Sequence, residues 1–234
     1  MAELEPHGIH TLAVDVTKLD TIEAAVHTII EKEGHIDILV NNAGISRSAP
    51  LVEQDLQTAR KIYDTNVWGL LAMSQTVAPH MMKRRAGTIV HVGSIVGIRP
   101  IPWSGIYASS KAAVHAMSDI MRMELMAFNV NVTTVYPGAI KSNIAANSSE
   151  EFALKEGSMY EQFKQRIEER LWLSQQPGCT PTDEFARRVV AKVLLPSPPR
   201  EIYCGRESTL AWVSSFLPNW LVDWVIVRRF KLLA

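Results

Sequence analysis

Apolar residues along the chain switch between two spacings. Ile22, Ala25, Val26, Ile29 and Ile30 recur three and four apart, the period of a helix face, whereas residues 36–40, 88–92 and 130–135 are short, nearly continuous apolar runs of strand length. The first helix is predicted to open on a capping box formed by Asp20 and Glu23 and to stop at Gly34. Residues 56–85 carry a long helical pattern with one break; Lys83, Arg84 and Arg85 fall at its end, where cations meet the negative pole of the helix, so they read as capping charges. A further helix is expected over 108–128, another after Thr180-Pro181, and a last strand over 200–205. Residues 10–14 read as one more strand, ahead of the first helix. Alternating strands and helices specify the α/β class: a doubly wound, Rossmann-like parallel sheet. Residues 143–176 are polar and helical without a strand, which makes them an insertion into that rhythm. No repeat or low-complexity linker divides the chain, so residues 1–234 are read as a single domain.

Charge narrows the function classes. Lys and Arg number 24 and Asp and Glu 24, so the balance offers no basic face to neutralise nucleic-acid phosphates. Cys179 and Cys204 are the two cysteines, too few for a disulfide framework and in keeping with a reducing, cytoplasmic setting. Glu3 and Glu5 stand where a secretory signal would carry basic and apolar residues. The seven histidines form no His-Glu-x-x-His pair and no Cys-x-x-Cys occurs, so a metal ligand set is not expected; His7 and His10, three apart, read as surface residues.

The chemistry concentrates near the middle. Tyr107 and Lys111 lie four apart on a predicted helix and project from one face. A phenol ionises near pH ~10, and an adjacent ammonium favours the phenolate, so Lys111 is expected to tune Tyr107 as a general acid/base. Ser94 follows a strand, where ligand-binding loops of open α/β sheets gather, and could hydrogen-bond a substrate oxygen. A serine hydrolase is excluded on spacing, because a nucleophile elbow needs glycine where Val92 stands.

Asn41-Asn42-Ala43-Gly44 after one strand, Ser94 after the next, the Tyr107/Lys111 pair and Pro137-Gly138 after a third resemble, in that order, the short-chain dehydrogenase/reductase family. The resemblance implies that Tyr107 protonates a carbonyl oxygen, that Lys111 supports it and holds the nicotinamide ribose, and that Ser94 orients the carbonyl. It implies for Asn66 a place at a helix kink beside a proton-relay water; an ordinary helix-face amide is the alternative. At the cofactor it places Asp15 by the adenine, Asn41 by the adenosine ribose, Ala43 and Gly44 at the close backbone approach, and Ile140 and Ser142 at the nicotinamide carboxamide.

Three stretches, YASSKAAVHAMSDIMRMEL, VYPGAIKSN and FLPNWLVDWVIVRRFKLL, are similar to the NADPH-dependent 1-acyldihydroxyacetone phosphate reductase branch, which reduces a ketone lipid. That similarity implies NADPH (NADP) as cofactor, with NAD not excluded, and a lipid ketone as partner; a steroid or retinoid carbonyl is the alternative substrate. It makes residues 143–176 a substrate lid, whose Phe152, Leu154, Met159, Phe163, Leu171 and Trp172 either line an acyl channel or pack inward on the core. In the extension 208–234, Trp212, Phe216, Trp220 and Trp224 recur every four residues past an interrupting Pro218, followed by Arg228, Arg229 and Lys231. Asn219 and Asp223 argue against a membrane span, leaving an interfacial anchor at the endoplasmic reticulum or a lipid droplet, or packing on the domain or within a homo-oligomer.

A complete family member opens with a strand, a glycine-rich turn and a helix that cradle the pyrophosphate. None of the 12 glycines here is followed by another two positions on, so a first βαβ unit of roughly 30 residues is absent, and the chain is expected to begin on the connection to the third strand. A non-catalytic truncated isoform or pseudoenzyme is therefore a rival to the active reductase.

Overall fold

The computed structural model describes residues 4–144 and 152–233. Four short apolar segments become strands: β1 Ile38–Asn41, β2 Gly87–Val92, β3 Val130–Pro137 and β4 Glu201–Cys204. They form one parallel sheet in chain order, with Val40 opposite Val90, Val92 opposite Val135 and Val135 opposite Ile202. Eight α-helices accompany them among the described residues: α1 Leu19–Glu33, α2 Leu56–Tyr63, α3 Leu70–Arg84, α4 Gly105–Leu125, α5 Lys164–Leu171, α6 Thr182–Val193, α7 Ser208–Ser214 and α8 Asn219–Arg229.

Strand side chains alternate between faces, and each face receives its own helices. On one side Ile22 and Val26 of α1, Val77 and Met81 of α3 and Leu125 of α4 pack on Ile89, Val130 and Val132. On the other, Val193, Phe185 and Val189 of α6 cover Val90, Val135, Ile202 and Cys204. This is the doubly wound arrangement that the alternating pattern predicts, and it gathers the loops after β1, β2 and β3 at one end of the sheet.

The break expected within residues 56–85 is a π-helical turn, Asp64–Gly69, between α2 and α3. Gly69 is required there, since a Cβ would lie 2.8 Å from the carbonyl oxygen of Val16. At the end of α3, Arg85 takes the left-handed conformation of a C-cap. Arg84 reaches out to Asp37 at 2.9 Å and to the carbonyl of Ile36, so it ties the helix end to the approach to β1.

Three expectations are corrected. Residues 10–14 form no strand: Leu12 and Val14 are exposed, and among the described residues no neighbouring strand pairs with them. β1 is consequently an outer strand among the described residues, and its Val40 is 52 % exposed. The Asp20–Glu23 capping box is not used, because α1 starts at Leu19 on Lys18 with no side-chain cap. Thr21 instead ties α1 to the preceding loop, accepting from the N–H of Asp15 and donating to its carbonyl. Finally, α6 begins one residue late, with Pro181 in the cap position and Thr182 in its first turn.

Candidate functional site

Ser94 leaves β2 through Gly93, whose N–H donates to the Val135 carbonyl at 2.8 Å and holds the strand end against β3. The Ser94 hydroxyl accepts from the N–H of Val96 and caps the short turn Ile95–Gly97. Its own N–H donates to Nε2 of His115 at 3.2 Å. The imidazole fits there because positions 93 and 97 are glycine: a Cβ at either would lie 2.4 or 2.5 Å from the ring.

Helix α4 brings Tyr107 and Lys111 to the same end of the sheet. The Lys111 Nζ donates to the Val92 carbonyl at 2.8 Å and lies 5.8 Å from the centroid of the Tyr107 ring. An ammonium has three donors, and this bond uses one. Asn66, fully buried in the π-turn, accepts from the N–H of Ile45 at 2.8 Å and donates to the carbonyl of Ile45 at 2.9 Å and to the Ser110 hydroxyl at 3.0 Å. Ser110 in turn donates to the Tyr107 carbonyl at 2.7 Å, so the π-turn braces both the loop after β1 and the helix carrying the phenol.

These groups surround a cavity of ≈ 360 Å³ lined by Ser94, Tyr107, Lys111, Gly44, Ile140 and Ser142, with Arg170 of α5 on its wall. Gly44 is a close approach: a Cβ would sit 3.3 Å from Asn66 Oδ1 and 3.6 Å from Lys111 Nζ. Among the described residues the structure therefore brings together six of the sequence-predicted site residues and keeps Asn66 immediately behind them. Asn41 is placed differently. Its side chain turns into the sheet and donates to the Ser74 hydroxyl at 3.0 Å, while Asn42 lines the cavity. Ala43 is exposed and outside the lining, and Asp15 is held in its own loop by Thr17 and Lys18.

The electrostatics depart from the sequence expectation. Burial pushes the Tyr107 phenol above its ordinary value, against smaller opposing effects of the neighbouring Ser94 hydroxyl and the Arg170 guanidinium. Lys111 is not what sets that direction; burial brings its own ammonium down to about 8. At neutral pH the site thus holds a protonated phenol beside an ammonium that gives up its proton at a lower pH than an ordinary lysine. Burial likewise lowers His115 to about 4, with Lys111 adding to the shift, so the ring behind Ser94 is neutral and free to accept.

Of the six residues expected to offer an acyl channel, Leu171 lines the cavity. Phe163 packs on Trp103 with ring centroids 6.3 Å apart, and Met159 and Trp172 are exposed; Phe152 and Leu154 are partly buried outside the lining. Part of the predicted insertion, 145–151, lies outside the described residues. Two site residues escaped the sequence reading. His115 stands one helical turn beyond Lys111, a spacing that could have flagged it; Arg170 sits in a charged helix whose sequence gives no sign that it faces a cavity.

The arrangement matches known proteins. A solved short-chain dehydrogenase from Streptomyces avermitilis superposes with a TM-score of 0.78 over 97 % of this chain and 83 % of that one, at 22 % identity, a likeness of fold. The NADPH-dependent 1-acyldihydroxyacetone phosphate reductase of Saccharomyces cerevisiae is 29 % identical over 203 residues, 86 % of this chain and 67 % of that protein. The short-chain dehydrogenase cctT of Talaromyces islandicus is 33 % identical over 235 residues, 96 % of this chain and 80 % of that protein. Residues 1–153 match the family model described as short chain dehydrogenase. With a serine, a tyrosine and a lysine converging at the end of a parallel sheet, and relatives aligned along nearly its whole length, the chain belongs to the short-chain dehydrogenase/reductase family of oxidoreductases.

Proposed function

We propose that this protein reduces the ketone of a lipid-like substrate with NADPH, Tyr107 giving the proton. The observation that carries this reading is the convergence of the Ser94, Tyr107 and Lys111 side chains on one cavity. The Ser94 hydroxyl donates a hydrogen bond to the substrate oxygen and orients the carbonyl. Burial keeps the Tyr107 phenol protonated, the form an acid needs when a ketone becomes an alcohol. Lys111, with donors left after its bond to Val92, would hold the ribose of NADPH; Gly44 would let its backbone come close, and Ile140 and Ser142 would face its carboxamide. When bound, that cofactor supplies the hydride. The similarity to a reductase named for NADPH and an acylated ketone phosphate favours NADPH over NAD and a lipid over a steroid or retinoid.

In this reading the described part of the insertion, 152–176, covers the substrate, and the C-terminal extension meets a lipid surface. Phe216 and Trp220 are more than 70 % exposed, and Arg228 stacks on Trp224 at 4.1 Å. Among the described residues no helix is long and apolar enough to cross a membrane, so contact would be peripheral. A second reading, a chain that does not catalyse, is favoured by Val40, an apolar residue 52 % exposed on the outer strand of the described sheet. NADPH titration, followed by NADPH oxidation with 1-palmitoyl dihydroxyacetone phosphate, separates the two. Binding with turnover that disappears in Tyr107→Phe supports the reductase; failure to bind NADPH supports the non-catalytic chain.

A further inference from the structure

The cavity beside Tyr107 is more positive than carbonyl reduction requires. Lys111, Arg170, Arg206 and Arg229 line it, against one carboxylate among the described residues, that of Glu207. Three of these cations are engaged. Lys111 donates to the Val92 carbonyl, Arg206 to the Pro177 carbonyl at 2.7 Å, and Arg229 pairs with Glu207 at 3.0 Å. Arg170 is different. Its Nε is sealed from solvent with no hydrogen-bond partner, and among the described residues its guanidinium makes no ion pair.

A half-buried guanidinium left in this state is costly, since burial strips water from a charge that no carboxylate repays. The Arg170 side chain feels that cost: burial holds its pKa below the ordinary value, and Arg229 pushes the same way. Arg99 and Arg122 also leave Nε unpaired, but their guanidinium groups have other partners: the Asn219 side chain at 2.8 Å and the Leu217 carbonyl at 3.0 Å for Arg99, and Asp119 at 3.9 Å for Arg122. Arg84 pairs with Asp37 and Arg200 with Asp119. The charge of Arg170 also acts on the Tyr107 phenol, which places the two within electrostatic reach across the cavity. Apolar Ile101, Leu171, Leu173 and Phe185 also line the cavity.

We propose that Arg170 is the specificity-determining residue of the substrate pocket and binds an anionic group, a phosphate or carboxylate, carried by the ketone that Tyr107 reduces. The proposal rests on the reductase reading above and deepens it by naming the substrate class. A planar fork of donors matches either anion bidentately, and pairing with it would satisfy the charge the fold leaves open. The apolar wall would take the remainder of the molecule.

The test compares two matched pairs of ketones with NADPH: 1-palmitoyl dihydroxyacetone phosphate against 1-palmitoyl dihydroxyacetone, and 3-oxododecanoate against its methyl ester. The wild-type chain is expected to prefer the anionic member of at least one pair in kcat/KM, and the pair in question tells phosphate from carboxylate. Arg170→Gln should cut that preference about tenfold or more, and Arg170→Lys should restore part of it, at unchanged KM for NADPH. Absence of any anionic preference in the wild type overturns the proposal. So does an Arg170→Gln effect equal on both members of each pair, or one confined to the KM for NADPH. If none of the four is turned over, their equilibrium binding to the NADPH-mixed chain gives the same ratios, and equal binding of charged and neutral members overturns it. The reductase reading fails separately: persistence of turnover in Tyr107→Phe sinks it whatever the charge preference.

Discussion

Asn66 and Ile45 hold each other through a reciprocal pair of hydrogen bonds, side-chain amide to backbone amide, at 2.8 and 2.9 Å. The amide sits in a π-turn, where the extra residue swings a helical side chain toward the neighbouring loop. The same nitrogen reaches Ser110, and through it the Tyr107 carbonyl, so one side chain fixes the loop at Gly44 and the helix turn that bears the phenol.

Replacing Asn66 by alanine leaves the two backbone groups of Ile45 without that partner, at a cost of about 2–3 kcal/mol in stability. Turnover should fall further than stability predicts, by roughly tenfold or more in kcat/KM, because a loop and a helix that define the cavity both lose their reference point. Urea denaturation and steady-state kinetics on the same preparation separate the two effects. An Asn66→Ala protein with wild-type kinetics would show that the brace does not position the site.

A second prediction concerns acid. His91 is fully buried on β2 between the Ser118 hydroxyl at 2.7 Å and the Ser74 hydroxyl at 3.1 Å, and burial, with a smaller contribution from Lys111, lowers its pKa from 6.5 to about 4. The unfolded chain takes up this proton near pH 6.5 and the folded chain only near 4, so stability is complete above 6.5 and drains away as pH falls through that window. His91 alone should remove about 2 kcal/mol between pH 6.5 and 5. Half-buried His115 acts in the same window with smaller weight. Asp37 and Asp55, held below 3.8, give up their contributions only at lower pH. Chemical denaturation of wild type and His91→Leu at both pH values checks this; an equally steep loss in the variant would assign the acid sensitivity elsewhere.

What could be read ahead of the fold was whatever depends on near neighbours in sequence. Tyr107 and Lys111 share a helix face because they are four apart, and the apolar runs around Ile89 and Val132 are strands because they are buried on both sides, while the run around Leu39 forms the outer strand that leaves Val40 exposed. Pairing across the sheet is not local: residues 10–14 have strand composition, and among the described residues no adjacent strand accepts them. A one-residue shift of face was equally invisible, since alternation along β1 turns Asn41 inward to Ser74 and leaves Asn42 at the cavity. Charge counting suggested that Lys111 would lower the Tyr107 pKa, whereas burial, a property of the assembled fold, sets the direction. Arg170 reaches the site only because α5 folds back over it.

Lys111 itself should be a stability liability. Its ammonium ionises at about 8 in the folded chain against 10.5 in the open one, so the folded state bears the desolvation at neutral pH and sheds it as pH rises. The unfolded chain holds the extra proton between 8 and 10.5, and stability should therefore climb across that window. Lys111→Met is expected to raise stability by about 1–2 kcal/mol at pH 7, to flatten the alkaline rise, and to abolish turnover. Thermal denaturation at pH 7 and 10 against the wild type decides it. A destabilised Lys111→Met at pH 7 would mean that the bond to the Val92 carbonyl outweighs the cost of burial.

The C-terminal stripe makes the last prediction. Phe216, Trp220 and Trp224 are 73 %, 71 % and 51 % exposed, and Arg228 stacks on Trp224 at 4.1 Å. Because these rings are mostly in solvent, changing all three to serine should leave the melting transition nearly in place. On vesicles of phosphatidylcholine with phosphatidylserine, the aromatic rings would enter the headgroup boundary and the cations would meet the anionic lipid. The wild-type chain should therefore float with such vesicles, with binding that weakens in added salt, and the triple variant should lose about tenfold or more of its partitioning. Wild-type protein that stays off the vesicles and elutes as a dimer, with the triple variant eluting as a monomer, would reassign the stripe to contact between two copies of the chain.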